Sequence, residues 1–265
     1  MTITVVGIGY GSDTTAAVAE AIGAADVLIG HPVFLAAVDH LVRPGAECFD
    51  VLDQATPQED VFAVRTRVAA ERSAAGAQVV IVSGGDPGLL GMAGPALSNL
   101  ERTGRADEIR AMRVLPGLSA WQYASAALGS PFNSGLAVLS LCLYGHTEEK
   151  ITRQIAGVAA SGLGIVGYMV RHNGEDHPEL FPTDEPPAEI SRRRFTLLRD
   201  ELLKSRDPQT PAFLLTGLGG ADGHQLATVP LKSALDLWEQ AGPESIVCVP
   251  AEEYQQSSGL IWATT

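Results

Sequence analysis

Short β-branched runs separated by alanine-rich stretches fill the first half of the chain, and this alternation leaves few architectures open. Ile3 to Val6, Asp26 to Gly30, Glu47 to Val51 and Gln78 to Ser83 are apolar enough to be buried strands. Between and after them, Thr14 to Ala25, His31 to Val42, Pro57 to Ala75 and Ala93 to Arg102 carry helical spacing, with Asp13 or Thr14 placed to cap the first and one charged face on the third. Strands alternating with helices predict a mainly parallel sheet joined by crossover helices, an α/β fold. A chain of 265 residues has room for two such domains. Residues 1–118 are expected to form an N-terminal α/β domain with glycine-rich loops, and residues 119–265 a C-terminal α/β domain with a mixed sheet. The Pro116-Gly117 turn, with a helix start at Ser119, stands between them.

The second half reads differently. Leu136 to Leu143 and Gly164 to Val170 are strand candidates flanking a helix over Thr147 to Ser161, which opens on a Thr-Glu-Glu cap. His172 to Pro187 is polar and rich in proline and acid, as expected of a surface excursion. A helix over Ile190 to Lys204 bears Arg192, Arg193 and Arg194, and three consecutive helical positions point in different directions. Pro211 to Thr216, Gln225 to Val229, Ser245 to Val249 and Gly259 to Ala263 are further strands, enough for antiparallel pairs.

With 31 acidic against 18 basic residues the formal charge is −13. A partner held through phosphates needs a basic face, so no nucleic acid is expected. No apolar run approaches the roughly 18 to 20 residues that cross a bilayer, and MTITVVGIG reads as a first buried strand, not a signal peptide. No membrane association is expected, and the cytoplasm is the expected compartment. Cys48, Cys142 and Cys248 lie far apart in apolar contexts and read as reduced core residues.

Two loops carry chemistry. Val5-Val-Gly-Ile-Gly-Tyr-Gly11 lets backbone approach a ligand closely, but its G-x-G-x-G spacing is not the G-x-G-x-x-G of a dinucleotide site. The acid such a site needs after its second strand is also missing, since Asp26 precedes that strand. Gly84-Gly85-Asp86-Pro87-Gly88 follows an apolar strand, at the edge where open α/β sheets bind ligands. Its plainer reading is a tight turn with Asp86 capping the next helix.

VVGIGYG, SGGDPGLLGMAG (Ser83 to Gly94) and VLPGLSA (Val114 to Ala120), followed by Leu-Gly-Ser-Pro at Leu128 to Pro131, occur in this order. Together they resemble the tetrapyrrole (corrin/porphyrin) methylase family, whose best-known members are precorrin methyltransferases of cobalamin biosynthesis. The motifs cover residues 1–145 and thin beyond. The family's first turn usually reads G-x-G-P-G-D, whereas this chain has Tyr10 in place of the proline and its acid one place later, at Asp13. The resemblance implies a two-domain fold with S-adenosylmethionine in the inter-domain cleft, a homodimer, and a small-molecule substrate. It also implies that Gly85, Asp86, Leu89 and Leu90 surround the methionine and ribose portions and that Ser119 and Ala120 hold the cofactor from the Pro-Gly turn. Met169, Thr216 and Gly217 resemble family positions around the adenine.

A sulfonium methyl is already activated, so no metal is required. His146, Tyr10 and Arg171 are the catalytic candidates, as polar residues near strand ends that orient substrate or relay a proton, with His172 and Asp222 in similar places. His172, Asp176 and His177 read as a solvated surface, because no further ligands are spaced to close a metal site. A smaller, non-tetrapyrrole acceptor and a non-catalytic S-adenosylmethionine-binding regulatory module are the alternatives to precorrin methylation.

Overall fold

In the computed structural model, residues 2–11, 13–56, 59–141, 147–171, 185–220 and 223–264 are described. The chain divides into two units, Met1–Ala120 and Trp121–Thr265.

Unit 1 runs β1 (Thr2–Gly7), α1 (Ala16–Ala24), β2 (Val27–Ile29), α2 (Pro32–Ala37), β3 (Glu47–Phe49), α3 (Val61–Ala74), β4 (Gln78–Ser83), α4 (Ala93–Arg102), α5 (Ala106–Ala111) and β5 (Arg113–Leu115). The strands form one parallel sheet in the order β3-β2-β4-β1-β5. Both faces are covered, and the alternation along each strand decides which residue faces which helix. Val79 and Ile81 of β4 join Ile3 and Val5 of β1 in a core against α3 and α4, whereas Val80 and Val82 join Val6 and Ile8 against α1. This two-sided burial is why these strands read as continuous apolar runs. Asp26, ahead of β2, accepts the Gln78 N–H at 2.7 Å and pairs with Arg43, so it fixes the entry to the sheet.

Unit 2 contains α6 (Ala120–Leu128), β6 (Gly129–Ser130), β7 (Leu136–Ser140), α7 (Glu148–Ala159), β8 (Gly164–Tyr168), α8 (Pro187–Leu202), β9 (Pro211–Thr216), β10 (Gln225–Pro230), α9 (Leu235–Trp238), β11 (Ile246–Val249), β12 (Tyr254–Ser257) and β13 (Leu260–Ala263). Its main sheet has the order β10-β9-β11-β8-β7. Only β7 and β8 pair in parallel; β8, β11, β9 and β10 are joined by antiparallel ladders. The core lies between this sheet and α7, α8 and α9, with Ile151, Ile155, Phe195, Leu198, Leu214 and Leu237 inside it.

Several local expectations are corrected. Thr15, not Asp13 or Thr14, caps α1 by accepting from the Val18 N–H at 3.3 Å. The helix expected over His31 to Val42 stops at Ala37, and a 3-10 turn over Asp39–Leu41 replaces its end. α3 starts at Val61, four residues after Pro57, and is buried more widely than one charged face suggests: Ala63, Val64, Val68, Ala69 and even Arg65 are buried, the last paired with Asp50 at 2.8 Å. Cys48 is exposed on an edge strand, not in a core. Cys248 is buried at the centre of β11, where burial pushes its thiol pKa far up; Cys142 lies outside the described residues.

Candidate functional site

In unit 1 the adjacent strands β1 and β4 send their chains to opposite edges of the sheet, β1 to β2 and β4 to β5. Such a switch point is where open α/β sheets receive ligands, outside the carboxyl ends of the strands. Three glycine turns meet there. Gly9 and Gly85 bridge, with the Gly85 N–H donating to Gly9 O at 2.9 Å and the Gly9 N–H to Gly85 O at 3.3 Å. A Cβ on Gly7 would stand 2.5 Å from Gly85 O and from Pro87 Cδ, and one on Gly117 would stand 2.4 Å from the carbonyl oxygens of Gly7 and Gly85. No side chain fits at either position, so backbone packs on backbone.

Asp86 closes this cluster. Its Oδ1 accepts from the Gly88 N–H at 2.8 Å and its Oδ2 from the Gly117 N–H at 3.2 Å, tying the β4 loop to the β5 loop. It does not cap the next helix: α4 begins at Ala93, seven residues on, and has no side-chain cap. Each carboxylate oxygen keeps lone pairs beyond these two bonds and can still receive a ligand hydroxyl. Gly85 itself, at φ +62°, lies against the β5 loop: a Cβ there would stand in ordinary contact with Ser119 Cα at 3.8 Å and Leu118 O at 3.9 Å. Ser119 and Ala120 are buried at the end of the β5 loop. Leu89 is half-buried and Leu90 exposed, the latter with φ +56°. A leucine held in the left-handed region costs about 1 to 3 kcal/mol, and such strain gathers at ligand sites. Tyr10 sits half-buried between Gly9 and Gly11, both at positive φ.

Unit 2 brings the other sequence candidates to one end of its sheet. β8 and β9 flank β11, with Val247 opposite Gly167 on one side and Leu214 on the other. Continuing that register sets Met169 and Thr216 on either side of Ser245. Thr216 Oγ1 and Ser245 Oγ hydrogen-bond at 2.6 Å, and Ser245 Oγ also accepts from the Gly242 N–H at 2.9 Å. Met169 is the second bulky residue of the candidate set at positive φ, +55°, and Gly217 follows at +71°. Beside them the Tyr168 hydroxyl accepts from the Trp121 N–H at 2.9 Å and fixes the start of α6.

Arg171, two residues beyond Met169, lays its guanidinium on Trp238, Cζ 4.7 Å from the ring centroid, and donates from Nη1 to Glu239 O at 3.2 Å. These two contacts hold the plane of the guanidinium and the place of its charge. The three arginines of α8 diverge as helical geometry requires. Arg194 is buried against Glu148 at 2.6 Å, Arg193 pairs with Glu185 and Glu148 at the surface, and Arg192 approaches Trp238. His146 lies outside the described residues, as do His172, Asp176, His177 and Asp222.

Sequence reasoning missed the interlock of Gly7 and Gly117, and Ser245. VLPGLSA carried the signal for Gly117; nothing near Ser245 in sequence marked it as Thr216's partner, because the pairing is made across strands.

Comparison with known proteins decides the family. The sequence model of the Tetrapyrrole (Corrin/Porphyrin) Methylases matches residues 2–234. The chain belongs to the tetrapyrrole methylase family. Members take their methyl group from S-adenosylmethionine, and this methylase is an S-adenosylmethionine-dependent methyltransferase. The match extends well past residue 145, where the sequence motifs thin. Among its relatives, a precorrin-3B C(17)-methyltransferase from Sinorhizobium sp. is 31% identical over 237 residues, covering 88% of this chain and 83% of that protein. A probable cobalt-factor III C(17)-methyltransferase from Methanothermobacter thermautotrophicus is 27% identical, covering 83% and 55%. The crystal structure of the methyltransferase CobJ shares the fold at a TM-score of 0.80, with 22% identity and 99% of each chain covered. No helix among the described residues is long and apolar enough to cross a membrane.

Proposed function

We propose that this methylase transfers the methyl group of S-adenosylmethionine to a carbon of a precorrin-type tetrapyrrole, in the manner its relatives' names print for C(17). The observation that carries the reading is the interlocked loop cluster of unit 1, a backbone cradle at the switch point of a parallel sheet, in a chain that matches the family over residues 2–234. S-adenosylmethionine supplies an activated methyl on a sulfonium centre. Gly85, Asp86, Leu89, Leu90, Ser119 and Ala120 are the contacts we assign to it in unit 1, and Met169, Thr216 and Gly217 those in unit 2.

The residues suit that work. Amide and carbonyl groups of the glycine loops can meet a zwitterionic amino acid at close range, and the remaining lone pairs of Asp86 suit ribose hydroxyls. Leu89, half-buried, and Leu90, exposed, offer apolar surface for the donor to cover. Alignment of a carbon nucleophile with the methyl is the main task, and fixing two reactants in line is worth about 7 to 11 kcal/mol. Tyr10, in the β1 turn, is the hydroxyl we assign to acceptor orientation.

The test is incubation of the purified protein with precorrin-3B and S-adenosylmethionine carrying a labelled methyl. The expected outcome is label in the tetrapyrrole with release of S-adenosylhomocysteine in equal amount. Calorimetry without heat on addition of S-adenosylmethionine would sink the donor assignment; donor binding with no label in any tetrapyrrole would remove the acceptor.

A further inference from the structure

Unit 2 holds a pair of guanidinium groups around one indole whose charge is largely uncompensated among the described residues. Arg171 Cζ lies 4.7 Å and Arg192 Cζ 5.7 Å from the centroid of Trp238, a ring that is 5% exposed. The indole attracts each guanidinium by cation–π contact while the two charges repel weakly, so the cluster is a local concentration of positive charge that an anion would complement. In a chain with 31 acidic and 18 basic residues a carboxylate partner for each would be easy to supply. Yet among the described residues Arg171 forms an ion pair with none, and the only carboxylate of Arg192 is Glu239, at 3.9 Å with both side chains half exposed. A pair that long and that wet contributes almost nothing.

The hydrogen bonding of Arg171 is incomplete as well. Nη1 donates to Glu239 O, while Nε is buried without an acceptor among the described residues. An orphaned buried donor costs free energy and offsets part of what the Trp238 contact and the Glu239 bond contribute. Stacking on Trp238 fixes the guanidinium plane and the Glu239 carbonyl fixes one corner. What remains is a pre-oriented cation two residues beyond Met169.

We propose that Arg171, assisted by Arg192 and held by Trp238, is the receptor for a peripheral carboxylate of the methyl acceptor. The inference rests on the reading of the acceptor as a carboxylated tetrapyrrole. It resolves a difficulty in that reading, since a chain of charge −13 repels a polyanionic substrate unless positive charge is concentrated where the substrate lands. Arg171 is a positioning residue in this scheme: it binds the acceptor's edge and takes no part in methyl transfer.

Uroporphyrin III, a polycarboxylated tetrapyrrole, is the probe, with its fully methyl-esterified form as the uncharged control. Titration followed by protein fluorescence should show Arg171→Met weakening uroporphyrin III by about tenfold or more, and Arg192→Met by about two- to fivefold. Arg171→Lys should restore part of the loss, because charge is retained while the planar fork is not. Affinity for S-adenosylmethionine should be unchanged in all three, which also certifies that each variant is folded. The ester's affinity should be the same for wild type and variants. Wild-type affinity for uroporphyrin III in Arg171→Met overturns the proposal; so does an equal loss for acid and ester, or no uroporphyrin III binding by a wild-type protein that binds the donor. Labelled methyl transfer that ignores Arg171→Met would spare the methylase reading and sink only the receptor, whereas Arg171-dependent uroporphyrin III binding without any transfer would do the reverse.

Discussion

The two units build their candidate surfaces from different materials. At the carboxyl end of the parallel sheet in unit 1, glycine backbone does the packing: Gly7, Gly85 and Gly117 interlock and Asp86 stitches their loops. At the corresponding sheet end in unit 2, side chains do it, through Thr216 to Ser245, Tyr168 to the start of α6, and Arg171 on Trp238. A backbone cradle suits a ligand that never changes, because it presents the same amide and carbonyl groups whatever the surrounding sequence. A side-chain surface can be retuned one residue at a time. The contrast predicts that the interlock at Gly7 and Gly117 is intolerant of any added atom and that the unit 2 surface answers to changes in polarity and charge.

The largest effect should come from adding a single methyl group to the cradle. Gly117→Ala would press a Cβ to 2.4 Å from two carbonyl oxygens and displace the β5 loop from Asp86. Donor affinity should fall at least about a hundredfold and the unfolding free energy by about 3 kcal/mol, as for other overpacked sites. Gly217→Ala in unit 2 is the counterpart. There a Cβ meets nothing closer than 3.5 Å, and the cost is that of φ +71° alone, about 1 kcal/mol. Calorimetric titration and denaturant melts of the two variants check the difference, and equal losses would break the contrast.

Charge in unit 2 provides the next test. Arg194 and Arg206 are both buried, at 2% and 4% exposure, but Arg194 bonds Glu148 through Nε at 3.0 Å and Nη2 at 2.6 Å. Arg206 gives one bond to Leu163 O, and its Nε and Nη1 have no partner among the described residues; burial lowers its pKa, with Glu252 nearby opposing the shift. Glu148→Ala removes the carboxylate from a buried guanidinium and should cost about 2 to 3 kcal/mol. Arg206→Met replaces a poorly satisfied charge with apolar volume and should lie within about 1 kcal/mol of wild type, on either side. Urea melts of the two variants decide, and a heavier loss from Arg206→Met would show that its guanidinium has partners that the contacts do not reveal.

The same contrast explains what could be read from the sequence. Parallel strands buried on both faces write themselves as apolar runs, so Val79 to Val82 and Ile3 to Val6 announced their places. Glycines that must touch backbone recur as short words, which is why VVGIGYG, SGGDPG and VLPGLSA pointed to one family. Asp86 was legible as part of a word but not in its role, since its second partner, Gly117, is 31 residues away. Cys48 misled because an apolar flank looks the same whether its strand is central or at an edge. In unit 2 the decisive pairs, Thr216 with Ser245 and Arg171 with Trp238, are made by antiparallel register and helix docking. No local pattern encodes such pairs.

The smallest predicted effect separates the frame of unit 1 from its cradle. Arg67 clamps Glu59 through Nε at 2.7 Å and Nη2 at 3.1 Å, and the Thr56 N–H donates to the same carboxylate at 3.0 Å. The bonds from Arg67 are the main reason the carboxyl pKa drops from an ordinary value near 4.5 to about 2. A carboxyl that binds its proton more weakly in the folded state stabilises the fold above its unfolded pKa, and that contribution is lost as the pH falls through the folded value. Glu59→Gln should therefore cost about 1 kcal/mol at pH 7, the gap should begin to close below pH 4.5, and it should be nearly gone by pH 2. Donor affinity at pH 7 should not change, because none of these bonds touches the glycine loops. Thermal melts of both proteins across that range measure the first effect and calorimetry the second. A gap that stays constant with pH would show that Glu59 acts through packing and not through its charge, whereas a loss of donor affinity would show that the frame and the cradle of unit 1 are one cooperative element.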